Sequence, residues 1–235
     1  MNARPTPDWI AVDWGTSNLR AWSMQGGAAL ENASSCDGMA TLKRDGFAAA
    51  LTRLIKPMSL QAGLPIIACG MVGSRQGWVE APYRTLPCTP LATSFARADT
   101  ADNPVHIIAG LRQDTPADVM RGEETQIAGF LALNKGWDGV ICLPGTHSKW
   151  VEVSAGEVIS FQTFMTGEMF ALLCGHSVLR HSVNCADWDA TAFDTAVDDI
   201  IARPERLAAQ LFSIRASDLL NGTPAHTPAR VCPAC

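Results

Sequence analysis

No run of lysine and arginine occurs in these 235 residues and the net charge is −5, so neither nucleic acid nor an anionic membrane is expected as a partner. No apolar stretch reaches 18 residues, and the opening Met1-Asn2-Ala3-Arg4-Pro5-Thr6-Pro7-Asp8 lacks the hydrophobic centre of a signal peptide. A cytoplasmic protein is expected. Neither the lysine-containing glycine loop of P-loop proteins nor a GxGxxG dinucleotide fingerprint is present, which argues against both nucleotide-binding classes. The histidines, His147 and His176 among them, show no metal-ligand spacing. The eight cysteines are scattered apart from Cys232-Pro233-Ala234-Cys235, and a lone CxxC lacks the second pair that a zinc site needs. Reduced thiols are expected. Cys69 and Cys142 stand inside apolar, strand-like runs, where cysteine behaves as a small hydrophobe.

What is present suffices for one large core or two modest ones, since 47% of the residues are hydrophobic. Apolar runs and alternation predict strands over residues 9–12, 19–24, 28–35, 65–69, 105–109, 140–143, 149–153 and 158–164. Phe47, Leu51, Leu54 and Ile55 have helical spacing, and a second helix is predicted to start near Gly122-Glu123-Glu124-Thr125-Gln126. Residues 85–104 are expected as loop with a short helix. The stretch from Gly167 to Leu220 is expected to be largely helical, with Met165, Met169, Phe170, Leu172 and Leu173 on a buried face.

One internal comparison outweighs these assignments. Val12-Asp13-Trp14-Gly15-Thr16-Ser17 and Cys142-Leu143-Pro144-Gly145-Thr146-His147 are both apolar strands opening into a Gly-Thr turn followed by a further strand. Two unrelated β-turns would share that much, but the flanking strands favour a repeat of two similar α/β halves. Such turns gather backbone N–H groups and hydroxyls into one concavity, which suits phosphate oxygens without a lysine. Asp13 at the first strand end would then supply a carboxylate for Mg²⁺, an ion that takes few protein ligands, or else simply form the turn. The second copy has Leu143 in the matching place.

Asp13-Trp14-Gly15-Thr16-Ser17-Asn18-Leu19-Arg20 resembles the first phosphate motif of the sugar-kinase, actin and Hsp70 superfamily, and Leu143-Pro144-Gly145-Thr146-His147-Ser148-Lys149-Trp150 is similar to its second. Gly70-Met71-Val72-Gly73-Ser74-Arg75, Arg121-Gly122-Glu123-Glu124-Thr125-Gln126 and Phe164-Met165-Thr166-Gly167-Glu168 resemble the 2-keto-3-deoxygalactonate kinase family in particular. The resemblance covers residues 9 to about 220.

That resemblance implies two α/β domains of the ribonuclease-H-like, actin and sugar-kinase type, residues 1–111 and 112–222, with a cleft between them and a hinge near 112–124. It implies transfer of the γ-phosphoryl of ATP to the 6-hydroxyl of 2-dehydro-3-deoxygalactonate, with Mg²⁺ near Asp13. Gly15, Thr16, Ser17, Gly145, Thr146, His147 and Ser148 would bind phosphate. In related sugar kinases the base is a carboxylate at a helix start some 20 residues before the second motif; Glu123 and Glu124 precede Gly145 by 22 and 21 residues. The pattern favours Glu124 and leaves Glu123 open, while the residues alone also fit a pair of acids at a helix N-terminus. The sugar acid's carboxylate needs a cation, and arginine suits its two oxygens best. Arg75, in its glycine-rich loop beside Ser74, is favoured, with Arg84, Arg20, Arg121 and Lys149 as further candidates and Trp78, Glu80 and Tyr83 near the same pocket.

Two rival readings stand beside this one: a kinase of another sugar acid or ketose, and an inactive or regulatory ATP-binding relative. In the family it resembles the chain continues past residue 235 through an adenosine-binding segment, whereas here residues 223–235 form a proline-rich tail without apolar periodicity. The expectation is therefore an incomplete second domain, exposed apolar surface, self-association into a homo-oligomer and weak ATP binding.

Overall fold

Alternation along the first strand decides which way the main sheet faces. In the computed structural model, which describes residues 6–58, 61–184, 189–221 and 225–226, β1 (Trp9–Trp14) buries Ile10, Val12 and Trp14 and leaves Trp9, Ala11 and Asp13 half-buried on the other face. β2 (Leu19–Gln25) and β3 (Ala28–Ser35) extend β1 as an antiparallel meander. β4 (Ile66–Gly70) and β7 (Pro104–Ile107) lie parallel on its other side, and β6 (Ala96–Asp99) closes that edge antiparallel to β7. The order is β3-β2-β1-β4-β7-β6. One face is covered by α1 (Phe47–Ile55), whose Phe47, Ala50, Leu51, Leu54 and Ile55 recur every three or four residues and pack on Ile10, Val12, Ile66, Ala68, Val105 and Ile107. The opposite face forms the floor of a cleft of about 470 Å³.

Two smaller sheets follow. β5 (Arg84–Thr85) pairs with β8 (Leu111–Asp114), which forms a hairpin with β9 (Ala117–Met120). α2 (Glu123–Leu133) leads into β10 (Gly139–Leu143), β11 (Ser148–Ser154) and β12 (Glu157–Phe164), a three-stranded sheet in that order. Leu111, Met120, Ile127, Ile141, Val151, Val153, Val158 and Phe161 make its core. The Gln113 amide joins the hairpin to this sheet as a strand's backbone would, donating to the Phe161 carbonyl and accepting from the Phe161 amide, both at 3.0 Å. Asp118 accepts from the Thr163 amide at 2.8 Å and from its hydroxyl at 2.7 Å.

By contacts the described residues of Met1–Leu143 and Lys149–Thr163 form one unit, and those of Pro144–Ser148 and Phe164–Ala234 a second. The division expected after residue 111 falls inside the first unit. The second unit carries α3 (Thr166–His176), α4 (Ala190–Ala202) and α5 (Leu207–Asn221), with Val183–Asn184 paired to Ala225–His226. Arg215 donates to Ser182 Oγ and Asp218 Oδ2 at 2.9 and 3.0 Å, tying α5 to the segment after α3.

Residues 112–124, expected to hold a hinge, carry the β8–β9 hairpin, whose polar strands bury only Leu111 and Met120 at their ends, and the start of α2. Three expectations need correction. Residues 85–104 contain strand β6 rather than a helix; only Ala98 of its four residues is buried, so no periodicity announced it. Cys142 points outward from β10, with Ile141 taking the inner place. The apolar face of α3 is not buried within the described residues: Met165, Met169 and Leu172 are about half exposed. Residues 222–224 and 227–235, with the terminal CxxC and nearly all of the proline-rich tail, lie outside the described residues.

Candidate active site

The first Gly-Thr turn closes β1 onto β2. The Gly15 amide donates to the Asn18 carbonyl at 2.9 Å, and Thr16 and Ser17 are exposed at its tip. Asp13 ends the cleft-facing row of β1, where strand register sets it beside Arg20 on β2 and Cys69 on β4. Arg20 NH1 reaches Asp13 Oδ2 at 3.3 Å, so an arginine expected on the substrate is engaged by the carboxylate expected on the metal. Among the described residues no group of three His, Cys, Asp or Glu gathers into a metal cluster. A single half-exposed carboxylate at a cleft suits Mg²⁺, which keeps several waters and leans on substrate phosphates.

The two glutamates stand in the first turn of α2, entered through Gly122 at φ 109. Glu124 is fully buried. Its Oε2 accepts from the Gly122 amide at 2.7 Å and its Oε1 from the Thr125 hydroxyl at 3.2 Å. Burial pushes its carboxyl up to about 7, against the pull of the Gly122 amide and with some help from the Glu123 charge. Glu123 is half-buried and accepts from the Arg121 amide at 3.0 Å. Asp13, Cys69, Gly122 and Thr125 line the cleft, and the buried Glu124 is hydrogen-bonded to the last two. The Cys69 thiol is pushed up to about 12, first by burial and then by the charges of Asp13 and Glu124, so it stays protonated and is no nucleophile.

The structure sorts the arginines differently from their sequence context. Arg75 is exposed, with 81% of its side chain accessible and only a 3.7 Å approach to Glu80. Ser74 beside it is buried, and its hydroxyl has no partner among the described residues. Arg84 is occupied by Thr89, whose carbonyl accepts from NH1 at 2.6 Å. Trp78 packs with Trp14 and Phe47, at ring separations of 6.2 and 6.3 Å, as part of the core rather than as a pocket wall. Arg121 is buried over the Tyr83 ring at 4.2 Å and donates to the Ala81 carbonyl at 2.7 Å. Lys149 is buried too, donating to the Val119 carbonyl and the Thr163 hydroxyl at 2.8 and 2.7 Å.

The second turn, Pro144–Ser148, leaves Gly145, Thr146 and His147 exposed, while the Ser148 hydroxyl is turned inward onto Thr166 Oγ1 at 2.5 Å. His147 Nε2 meets Glu168 Oε2 at 2.5 Å. Thr166 and Glu168 were visible in the sequence only as part of the string Phe164–Glu168 that resembles the kinase family; nothing in their spacing announced contact with a turn some 20 residues earlier.

A strand-end carboxylate, two Gly-Thr turns and a helix opening on two glutamates mark a mixed α/β protein. Comparison with known proteins names the family. A family model described as 2-keto-3-deoxy-galactonokinase matches residues 13–231, and the chain belongs to that family. The Probable 2-dehydro-3-deoxygalactonokinase DgoK1 of Rhizobium meliloti (strain 1021) is 43% identical over 226 residues, covering 92% of this chain and 74% of that protein. The 2-dehydro-3-deoxygalactonokinase of Escherichia coli (strain K12) is 37% identical over 221 residues, covering 93% and 74%. A crystal structure from Sinorhizobium meliloti, of a protein assigned to 2-dehydro-3-deoxygalactonokinase, superposes with a TM-score of 0.85 at 41% identity, covering 92% of this chain and 73% of that one.

Proposed function

We propose that this chain transfers the γ-phosphoryl group of ATP to the 6-hydroxyl of 2-dehydro-3-deoxygalactonate, a step of galactonate breakdown in the cytoplasm. The observation that carries this reading is its 43% identity to a 2-dehydro-3-deoxygalactonokinase across 92% of the chain. The residues support it. Positioning and charge stabilisation carry most of phosphoryl transfer, so the protein need supply few reactive groups. Asp13 would hold Mg²⁺, which when bound neutralises charge on the phosphates. The exposed amides of Thr16, Ser17, Thr146 and His147 and the hydroxyls of Thr16, Ser17 and Thr146 would bind phosphate oxygens, with Gly15 and Gly145, whose own amides bond within the turns, shaping the two loops. Residues 1–111 would carry the metal and the sugar acid, and residues 112–222 the second phosphate turn.

A carboxylate must take the proton of the attacking hydroxyl. Glu124 has the proton affinity of a base working near neutral pH, and Glu123 has the greater exposure. We assign the base to Glu124, and the ranking of the two glutamine variants tests that choice.

Arg75 is assigned to the sugar acid's carboxylate, because it is exposed and, among the described residues, pairs only at long range with Glu80. Arg75→Ala is expected to raise the KM for the sugar acid roughly tenfold or more, as for a lost charged hydrogen bond, and to leave the KM for ATP nearly unchanged. Initial rates with each substrate varied in turn check this, and equal losses for both would remove Arg75 from the carboxylate. The function itself is tested by coupled ADP release with 2-dehydro-3-deoxygalactonate as acceptor.

A further inference from the structure

The two Gly-Thr turns share more than sequence. In the first, the Gly15 and Thr16 carbonyls accept from the amides of Met39 and Ala40, at 3.0 and 2.9 Å. In the second, the Gly145 and Thr146 carbonyls accept from the amides of Gly167 and Glu168, at 3.3 and 3.0 Å. Each turn thus has its first two carbonyls tied to consecutive amides at the start of a helical segment, the 3₁₀ turn Met39–Thr41 in one case and α3 in the other.

A trans peptide is planar, with its C=O and N–H pointing in opposite directions. Tying down the carbonyls of Gly15 and Thr16 therefore turns the amides of Thr16 and Ser17 away from the backing segment. The same geometry turns the amides of Thr146 and His147 away from α3. Among the described residues none of these four amides has a hydrogen-bond partner, and all four residues are exposed. Outward, unpaired consecutive amides are what a phosphate oxygen requires.

Glycine makes the contact close enough in both copies. A Cβ at Gly38 would stand 2.2 Å from the Ser17 carbonyl carbon and 2.3 Å from the Thr16 oxygen. A Cβ at Gly167 would stand 2.7 Å from the Gly145 oxygen and 3.0 Å from Thr146 Cα. All four are backbone atoms, so relief would require the turn itself to move. The second turn has two further ties: Thr166 Oγ1 donates to the Gly145 carbonyl at 3.3 Å, and Glu168 holds His147 through Nε2.

We propose that the segments beginning at Gly38 and at Thr166-Gly167-Glu168 are positioning elements for phosphate binding, each holding a Gly-Thr turn by its carbonyls so that its amides face the nucleotide. This rests on the reading that the two turns bind the phosphates of ATP. It gives the Phe164–Glu168 string a role without any residue of it touching substrate.

The test is a calorimetric titration of the full chain with MgATP and with adenosine, for the wild type and Gly167→Ala, beside steady-state KM values. The wild type is expected to bind MgATP much more tightly than adenosine. Gly167→Ala is expected to lose roughly tenfold or more of MgATP affinity, as when two backbone hydrogen bonds are misdirected, with adenosine affinity and the sugar-acid KM unchanged. Should Gly167→Ala not fold, Thr166→Val is expected to weaken MgATP about threefold to tenfold through its lost bonds to the Gly145 carbonyl and the Ser148 hydroxyl, and Thr166→Ser to restore it. A wild-type preference for MgATP that survives both Gly167→Ala and Thr166→Val would overturn the positioning role alone. No wild-type preference for MgATP over adenosine would overturn the phosphate reading and the positioning role with it.

Discussion

Asp13→Asn is expected to lower phosphoryl transfer roughly 10³-fold or more, because charge stabilisation at the phosphates is the largest contribution to this chemistry. The fold should survive the change. Among the described residues Asp13 makes one ion pair, to Arg20 at 3.3 Å, and both side chains are more than two-fifths exposed. Such a pair contributes less than about 1 kcal/mol in water. Asparagine keeps the shape and the strand register with Arg20 and Cys69 while removing the charge that would hold Mg²⁺. Steady-state rates over a range of Mg²⁺ concentrations, beside a thermal melt, check both halves. Near-normal Mg²⁺-dependent turnover in the variant would show that the metal is held elsewhere.

The second large effect concerns Glu124. Glu124→Gln is expected to lower kcat by about 10²-fold or more, the scale of a lost general base, with Glu123→Gln costing less. The wild-type carboxyl must be ionised to accept a proton, so kcat should rise with pH through about 7, where burial places this group. Stability should move the other way. Its folded value lies above the unfolded one near 4.5, so the folded state holds the extra proton between those limits. The stabilisation is therefore present below pH 4.5 and is lost as pH rises through about 7, by at most about 3 kcal/mol. Glu124→Gln should flatten both profiles, read as kcat against pH and as denaturant midpoints at pH 5 and pH 8. A wild-type kcat profile flat between pH 6 and 8, or a larger loss in Glu123→Gln, would move the base to Glu123.

Both predictions start from residues visible in the sequence, but visibility was uneven and its physical causes can be named. β1, β2 and α1 were legible because one face of each is buried, which prints a period of 2 or 3.6 on the chain. The two Gly-Thr turns stood out because apolar strands flank both. β6 and the β8–β9 hairpin were not legible, since their polar residues pair through backbone and through Gln113 and Asp118 rather than through a buried stripe. Position along the chain also misled about the cations: Arg75 and Arg121 each stand in a family string, and only packing shows one in solvent and the other sealed over Tyr83. The backing of each turn by amides 22 to 24 residues downstream is a backbone event, and side-chain identity announces it only through Gly38 and Gly167.

ADP release measures the choice of acceptor and of donor at once. With MgATP present, the chain is expected to release ADP on addition of 2-dehydro-3-deoxygalactonate, faster than on addition of the 2-dehydro-3-deoxygluconate epimer and far faster than without acceptor. ADP release that is independent of the sugar acid, or faster with the gluconate epimer or another acceptor, would contradict the account.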